Sequence, residues 1–428
     1  MAGSAGSKAI RAVVIVIGVF VILGVGLYGP ATLVGPLPSA TATVVETPAE
    51  AGVTGAPTLP QTGASALVAE GSDQLLATAG LAEAVPIGGS AKVITALVVL
   101  DAKPMEAGSA GATVTISRED YDGFVRYIGE SARAVPFIAG ESWTQKEMLQ
   151  ATLLGSSNNH ADALARWAFG SIDGYLEAAS AWLDEHGLTS VELVDATGLD
   201  EGDIGTASDL SRISALAFAE PAIAEIMASD GAKLTGGRSV ENLSGYQAEL
   251  GYLGLSRSYT DQAGICFLFA LEVAVGSDVP AGTAAAEETR SVTLYGALLR
   301  EPDWETVDTD LETLASSAAS TIRQTPVITA GQAFVTYTTP WGDTAQGVAR
   351  STETRMLWVT SPLEYRVEAD ELQTGSAGRE VGSVTVSTPD GDVTVLLELD
   401  ERISDPGPMW RLGNPVPVIT AFIDSRTD

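Results

Sequence analysis

Residues 86–100 read Pro-Ile-Gly-Gly-Ser-Ala-Lys-Val-Ile-Thr-Ala-Leu-Val-Val-Leu, and Lys92 is the one charge among them. The apolar run predicts a helix over 91–101. A lysine amine held in such surroundings is kept neutral by burial and can take a proton from a hydroxyl beside it. A helix turns about 100° per residue, so residues three apart sit side by side. The position three before Lys92 is Gly89, which has no side chain and can neither attack nor donate. Ser90 is the nearby hydroxyl, but two residues correspond to about 200°, nearly the opposite face. No hydroxyl therefore stands one turn before Lys92 on its own face of the helix.

Two further segments follow in order. Thr144 and Glu147 form a capping box that opens a helix running through Leu153 to Ser156-Ser157-Asn158-Asn159. An Ala-rich stretch, His160 to Ser171, comes next. Downstream lie His186-Gly-Leu and Gly198-Leu-Asp200, then Thr206-Ala-Ser-Asp-Leu-Ser-Arg212. Taken in this order, the segments resemble the D-alanyl-D-alanine carboxypeptidases, penicillin-binding serine peptidases of β-lactamase-like fold. The resemblance covers roughly residues 65–300. It implies a Pro-x-x-Ser-x-x-Lys nucleophile helix, here with Gly89 at the serine, and a second element whose Ser156 and Asn158 are intact. The third element of that family, Lys-Thr-Gly on an edge strand, corresponds to Ser256-Arg257-Ser258 within Gly254-Leu-Ser-Arg-Ser-Tyr-Thr260. In the family the ammonium supplies positive charge, the hydroxyl binds the substrate carboxylate and the glycine admits the substrate backbone. Ser256 removes the ammonium and Ser258 adds bulk. Arg257 keeps a positive charge one residue later, where strand alternation favours a solvent-facing side chain unless a bulge turns it inward.

The chain has 55 acidic and 23 basic residues and a net charge of −32, which repels nucleic acid and anionic headgroups. Its single cysteine, Cys266, excludes an intrachain disulfide and sits in an apolar run that reads as a buried structural thiol. His160 and His186 have no ligand spacing. No metal site, cofactor or Ser-His-Asp set is expected.

Residues 12–28 are uncharged and apolar, and Lys8 and Arg11 precede them. That is about the length needed to span a bilayer. The basic flank places residues 1–11 in the cytoplasm, 12–29 in the membrane and the bulk outside. A cleaved signal peptide is the competing reading, with a small-residue site near Ala40-Thr-Ala42. Residues 30–64 read as an extended Pro/Ala/Thr/Gly tether. Leu59-Pro-Gln-Thr-Gly63 spells a sorting pentapeptide, but a domain follows where an apolar tail is needed, so the match is read as chance.

The expected fold is an α/β (α+β) transpeptidase-like domain over 65–302, then a small all-β domain over 326–428. Helices are expected over 91–101, 144–154, 160–168, 173–186 and 207–217, with a closing helix over 287–299. Strands are expected near 64–69, 251–260 and 264–275. In the second domain the expected strands are 333–339, 355–360, 380–387 and 392–399, with Asp390-Gly391 as a hairpin turn. Three functional readings are open. The leading one is a membrane-tethered carboxypeptidase homologue without catalysis, binding a peptidoglycan stem peptide or a wall or division protein. The second is an active serine carboxypeptidase in which another group serves as nucleophile. The third is a purely structural interaction module.

Overall fold

The computed structural model describes residues 4–45, 56–71, 75–277, 291–358, 363–388 and 391–425. Chain contacts divide it into two units, one of residues 52–324 with 356–360, the other of 1–51, 325–355 and 361–428.

In the unit of residues 52–324 the helix Ala91–Ala102 is central. Every residue from Ala91 to Leu100 is buried, Lys92 and Thr95 among an otherwise apolar run. The helices Gln145–Leu153, Asn158–Phe169, Ile172–Glu185 and Ala207–Ala219 pack around it. The capping box is formed, with Thr144 Oγ1 accepting from Glu147 N at 3.1 Å. Beside this cluster stands a five-stranded antiparallel sheet, in the order Tyr252–Thr260, Gly264–Ala274, Ser291–Glu301, Ala64–Ala69, Leu75–Gly80. Alternate residues of the Gly264–Ala274 strand serve opposite faces. Cys266 and Leu268 join the helical cluster, while Phe267, Phe269 and Leu271 pack with Val307, Leu311 and Leu314 of the helix Trp304–Thr321. Helices thus cover the sheet on both sides.

The expected closing helix over 287–299 is corrected. Residues 287–290 lie outside the described residues, and Ser291–Glu301 is a strand between Gly264–Ala274 and Ala64–Ala69. Its pattern, Ser-Val-Thr-Leu-Tyr-Gly-Ala-Leu-Leu, carries β-branched and aromatic residues and packs on both faces, so sheet pairing outweighs the apolar run's helical reading. The sorting-like pentapeptide is built into this unit: Leu59 is buried, and Ser65 Oγ donates to Pro60 O at 2.9 Å.

The other unit contains a six-stranded antiparallel sheet: Thr41–Val44, Ala333–Thr338, Thr344–Ala349, Gly391–Leu399, Glu380–Thr388, Glu364–Ala369. The hairpin between Glu380–Thr388 and Gly391–Leu399 is present, with Asp390 outside the described residues. The strand expected at 355–360 is Glu353–Trp358, and residues 359–360 lie outside them. The tether reading of 30–64 is corrected in part. Thr41–Val44 pairs with Ala333–Thr338, because its Thr-Ala-Thr-Val sequence extends readily and the sheet offers an open edge. The N-terminal segment is helical from Ser4 to Leu33, and Arg11–Leu33 is apolar and long enough to cross a membrane.

Candidate functional site

The unit of residues 52–324 holds a cleft of ≈ 860 Å³, lined among others by Gly89, Lys92, Ser156, Asn158, Arg257 and Ser258. Of the seven site residues expected from sequence, Ser256 stands apart. It is 8% exposed and does not line the cleft.

One wall is the start of the central helix. Gly88–Ser90 makes a single 3₁₀ turn, then Ala91–Ala102 is α-helical. Lys92 Nζ donates to Thr197 O at 2.7 Å. Burial lowers its amine from 10.5 to about 8, and Arg133 adds to this while Asp195 and Asp203 oppose it. The acceptor is held in place by Asp195. Its carboxylate accepts from Thr197 N at 2.5 Å, Gly198 N at 2.7 Å and Asp200 N at 3.0 Å, winding the loop around itself. Gly198 has φ +79°, and a Cβ there would lie 1.6 Å from Gly88 O. Only glycine lets this loop reach the helix start. Behind the loop Asp203 Oδ1 accepts from Val194 N and Asp195 N, while its Oδ2 is buried with no donor facing it. Burial and the neighbouring Asp195 carboxylate push Asp203 up to about 8. A retained carboxyl proton directed at Asp195 satisfies the orphaned oxygen, as for two carboxyls sharing a site.

The Ser156–Asn158 corner is ordered by its backbone. Ser156 adopts φ +49°, a left-handed conformation uncommon outside glycine. Asn158 Nδ2 donates to Arg133 O at 2.9 Å, and its Oδ1 is buried without a partner. His160, expected to have no ligand role, lies between the rings of Phe137 and Trp143, and burial drops its imidazole to about 3.

The opposite wall is the edge strand Tyr252–Thr260. A register shift between Gly254 and Ser256 interrupts its alternation. The preference for a solvent-facing Arg257 is therefore corrected. Its guanidinium stands over the Tyr246 ring, 4.9 Å from the centroid, and over Trp304 at 5.2 Å, at the border of the cleft. Two aromatic faces desolvate the cation and hold it inward. Among the described residues it has no carboxylate in ion-pair range. Tyr246 is fixed by donating its hydroxyl to Asp308, which also accepts from Gln247 at 2.6 Å. Tyr246, Trp304 and Arg133 were not found from sequence. They belong to no motif, and only the packing of separate segments brings them together.

Gly89 and Ser258 meet across the cleft. Gly89 N donates to Ser258 Oγ at 3.0 Å. A Cβ built on Gly89 would lie 2.9 Å from Ser258 Cβ, 3.3 Å from Ser258 Oγ and 3.5 Å from Lys92 Nζ. The missing side chain's volume is thus already filled from the other wall. The backbone N–H at the helix start, the kind of donor that stabilises an oxyanion, is engaged as well. Ser90 is fully buried, and its Oγ has no partner. It cannot reach the cleft.

Several solved structures share the fold. Penicillin binding protein 5 from Haemophilus influenzae aligns with TM-score 0.55 at 16% identity, over 83% of this chain and 100% of its own. A peptidoglycan synthesis regulatory factor from Streptococcus pneumoniae aligns with TM-score 0.56 at 21% identity, over 81% and 100%. Penicillin binding protein 6B from Escherichia coli gives 0.57 at 14%, over 81% and 98%. The family model described as D-alanyl-D-alanine carboxypeptidase matches residues 54–278, more than half of the 428-residue chain. That span contains the central helix, the Ser156–Asn158 corner and the edge strand, and by it the chain belongs to the D-alanyl-D-alanine carboxypeptidase family.

Proposed function

We propose that the chain is a membrane-anchored, extracytoplasmic wall-peptide receptor that holds a peptidoglycan stem peptide without cleaving it. The observation that carries this reading is the Gly89–Ser258 contact. The family's nucleophile position has no hydroxyl, and the opposite wall fills the vacated volume. Losing a covalent nucleophile typically costs several orders of magnitude in rate. Binding needs less. Arg257 supplies a partly desolvated planar cation for a peptide carboxylate, and the cleft is open enough to admit one. The N-terminal helix Arg11–Leu33 supplies the anchor, and the basic residues Lys8 and Arg11 set the N-terminus inside. A wall or division protein is the other candidate partner.

One observation favours a second reading. Ser258 Oγ and Lys92 Nζ both lie within 3.5 Å of the point a Gly89 Cβ would occupy. A hydroxyl supplied from the strand would make this an active carboxypeptidase of altered layout. Incubation with a fluorescent penicillin followed by intact mass and peptide mapping separates the two. The receptor reading expects no adduct, together with retention on isolated wall sacculi. An adduct on Ser258 would establish the active reading. Failure both to label and to bind sacculi would leave the structural-module reading.

A further inference from the structure

Among the described residues of the unit 52–324, the two most exposed aromatic side chains are Tyr259, 59% exposed, and Trp304, 36% exposed. Both line the cleft. Single bare rings scattered over a surface are ordinary, whereas rings gathered in a concave site mark a place for a ligand.

The sheet explains how the two rings come together. Residues two apart on a strand share a face, so Tyr259 stands on the same face as Arg257. In the ladder Arg257 opposes Phe267, and Tyr259 opposes Ile265. Phe267 and Ile265 belong to the core packed with the helix Trp304–Thr321. Arg257 and Tyr259 therefore carry that face outward to the sheet edge. Trp304 is the first residue of the helix, whose start is fixed by its cap: Asp303 accepts from Thr306 N at 2.8 Å. The Arg257 guanidinium stands over the Trp304 ring, and Tyr259 donates its hydroxyl to Asp261 at 3.1 Å. Thr260 and Asp261 line the cleft beside them. The outcome is a shelf of two rings with a guanidinium and a carboxylate at hand.

A ligand matched to such a shelf needs a flat face of C–H groups for the electron-rich ring faces and a rim of polar groups for the charges. A pyranose ring has both: hydroxyls that donate to a carboxylate and accept from a guanidinium, around a face of C–H bonds. A nucleotide has the flat face but brings phosphate, which the net charge of −32 opposes. We infer that Tyr259 and Trp304 form a saccharide subsite, in which a pyranose ring lies on the Tyr259 ring with its hydroxyls towards Asp261 and Arg257. The inference extends the wall-peptide reading to the glycan strand, and it rests on that reading for the source of the sugar alone.

The test uses the full chain in detergent and two separate probes. One is chitotetraose, a sugar with no peptide; the other is N-acetyl-D-alanyl-D-alanine, a peptide with no sugar. Affinity is measured by calorimetry, and saturation-transfer NMR reports which sugar protons touch the protein. Chitotetraose is expected to bind the unsubstituted chain with transfer to its C–H face. Tyr259→Ala should weaken that binding roughly tenfold and abolish the transfer. Tyr259→Phe, which keeps the ring, should stay within about twofold. Peptide affinity should be the same in all three, which also shows that the variants fold. Peptide binding without chitotetraose binding would overturn the inference and leave the peptide reading standing. Chitotetraose binding without peptide binding would support the subsite and remove the peptide reading. Binding of neither would remove both. Chitotetraose binding unmoved by Tyr259→Ala would place the sugar elsewhere and overturn the inference.

Discussion

The two walls of the cleft have fared differently. The helical wall carries the polar side chains of Lys92, Ser156 and Asn158; the strand wall carries Arg257 and Ser258, with Ser256 behind them. Their bonding explains the contrast. Lys92 anchors the Thr197 loop, and Asn158 ties down the backbone at Arg133. Both therefore serve the fold as well as any ligand. The strand wall contributes one such bond, from Gly89 N to Ser258 Oγ. Ser256 and Arg257 are paired in the sheet ladder, and the Arg257 guanidinium stands over two aromatic rings. The helical wall is thus fixed by hydrogen bonds to neighbouring segments, and the Arg257 side chain by ring contacts.

Four measurements break or sharpen this contrast. The largest effect is expected from exchanging the two residues that meet across the cleft. Gly89→Ser alone should be overpacked against Ser258 Cβ, costing about 1–3 kcal/mol, and should stay unlabelled by penicillin. Gly89→Ser with Ser258→Gly should regain the lost stability in thermal unfolding and acquire an adduct on residue 89. If Gly89→Ser labelled fully by itself, the steric exchange would be wrong.

Next is the separation of stability from binding. Lys92→Met should destabilise by about 1–3 kcal/mol, because Thr197 O is left buried without a donor. Arg257→Ala should cost about 1 kcal/mol or less in stability. The same change should weaken sacculus binding roughly tenfold to hundredfold if a charge-assisted carboxylate contact is lost. Equal effects of both substitutions on both readouts would erase the distinction between the walls.

The third is a pH dependence. Asp203 is pushed up to about 8 by burial and Asp195, and Glu301 up to about 8 by burial and the nearby Asp310 and Asp303. Unfolded carboxyls titrate near about 4. Between these values the folded chain holds protons that the unfolded chain releases, so stability falls as pH rises from about 4 to about 8. Lys92 acts in the opposite sense and higher up. Its amine is lowered to about 8, so its contribution grows as pH rises from there towards 10.5. Asp203→Asn should flatten the fall in Tm between pH 5 and 8. An unchanged slope would mean that Asp203 is ionised in the folded protein.

The smallest effect belongs to Ser90→Ala. It removes a buried hydroxyl with no partner, so stability should be unchanged or higher by up to about 1 kcal/mol, and binding unaffected. Loss of binding would place Ser90 in the cleft after all.

Much of the first unit was legible because its signals are local. The capping box at Thr144 and Glu147, the apolar helix after Gly89 and the apolar run after Gly264 each declare their own conformation within a few residues. The segment 287–299 misled because an apolar run does not say whether its hydrogen-bond partners lie along the chain or beside it. The tether reading of 30–64 failed for the same reason at Thr41–Val44, where the sheet edge of a distant segment supplied the partner. In the site, periodicity correctly separated Ser90 from Lys92, since that is helix geometry. It could not give the inward turn of Arg257, which depends on a register shift and on rings at positions 246 and 304. The Gly89–Ser258 contact spans 169 residues of sequence. The sequence by itself determined that position 89 carries no hydroxyl, because composition at one position is a local fact. Only the tertiary structure decided what fills that space, because packing density leaves no volume empty and draws its filler from whichever chain segment passes nearby.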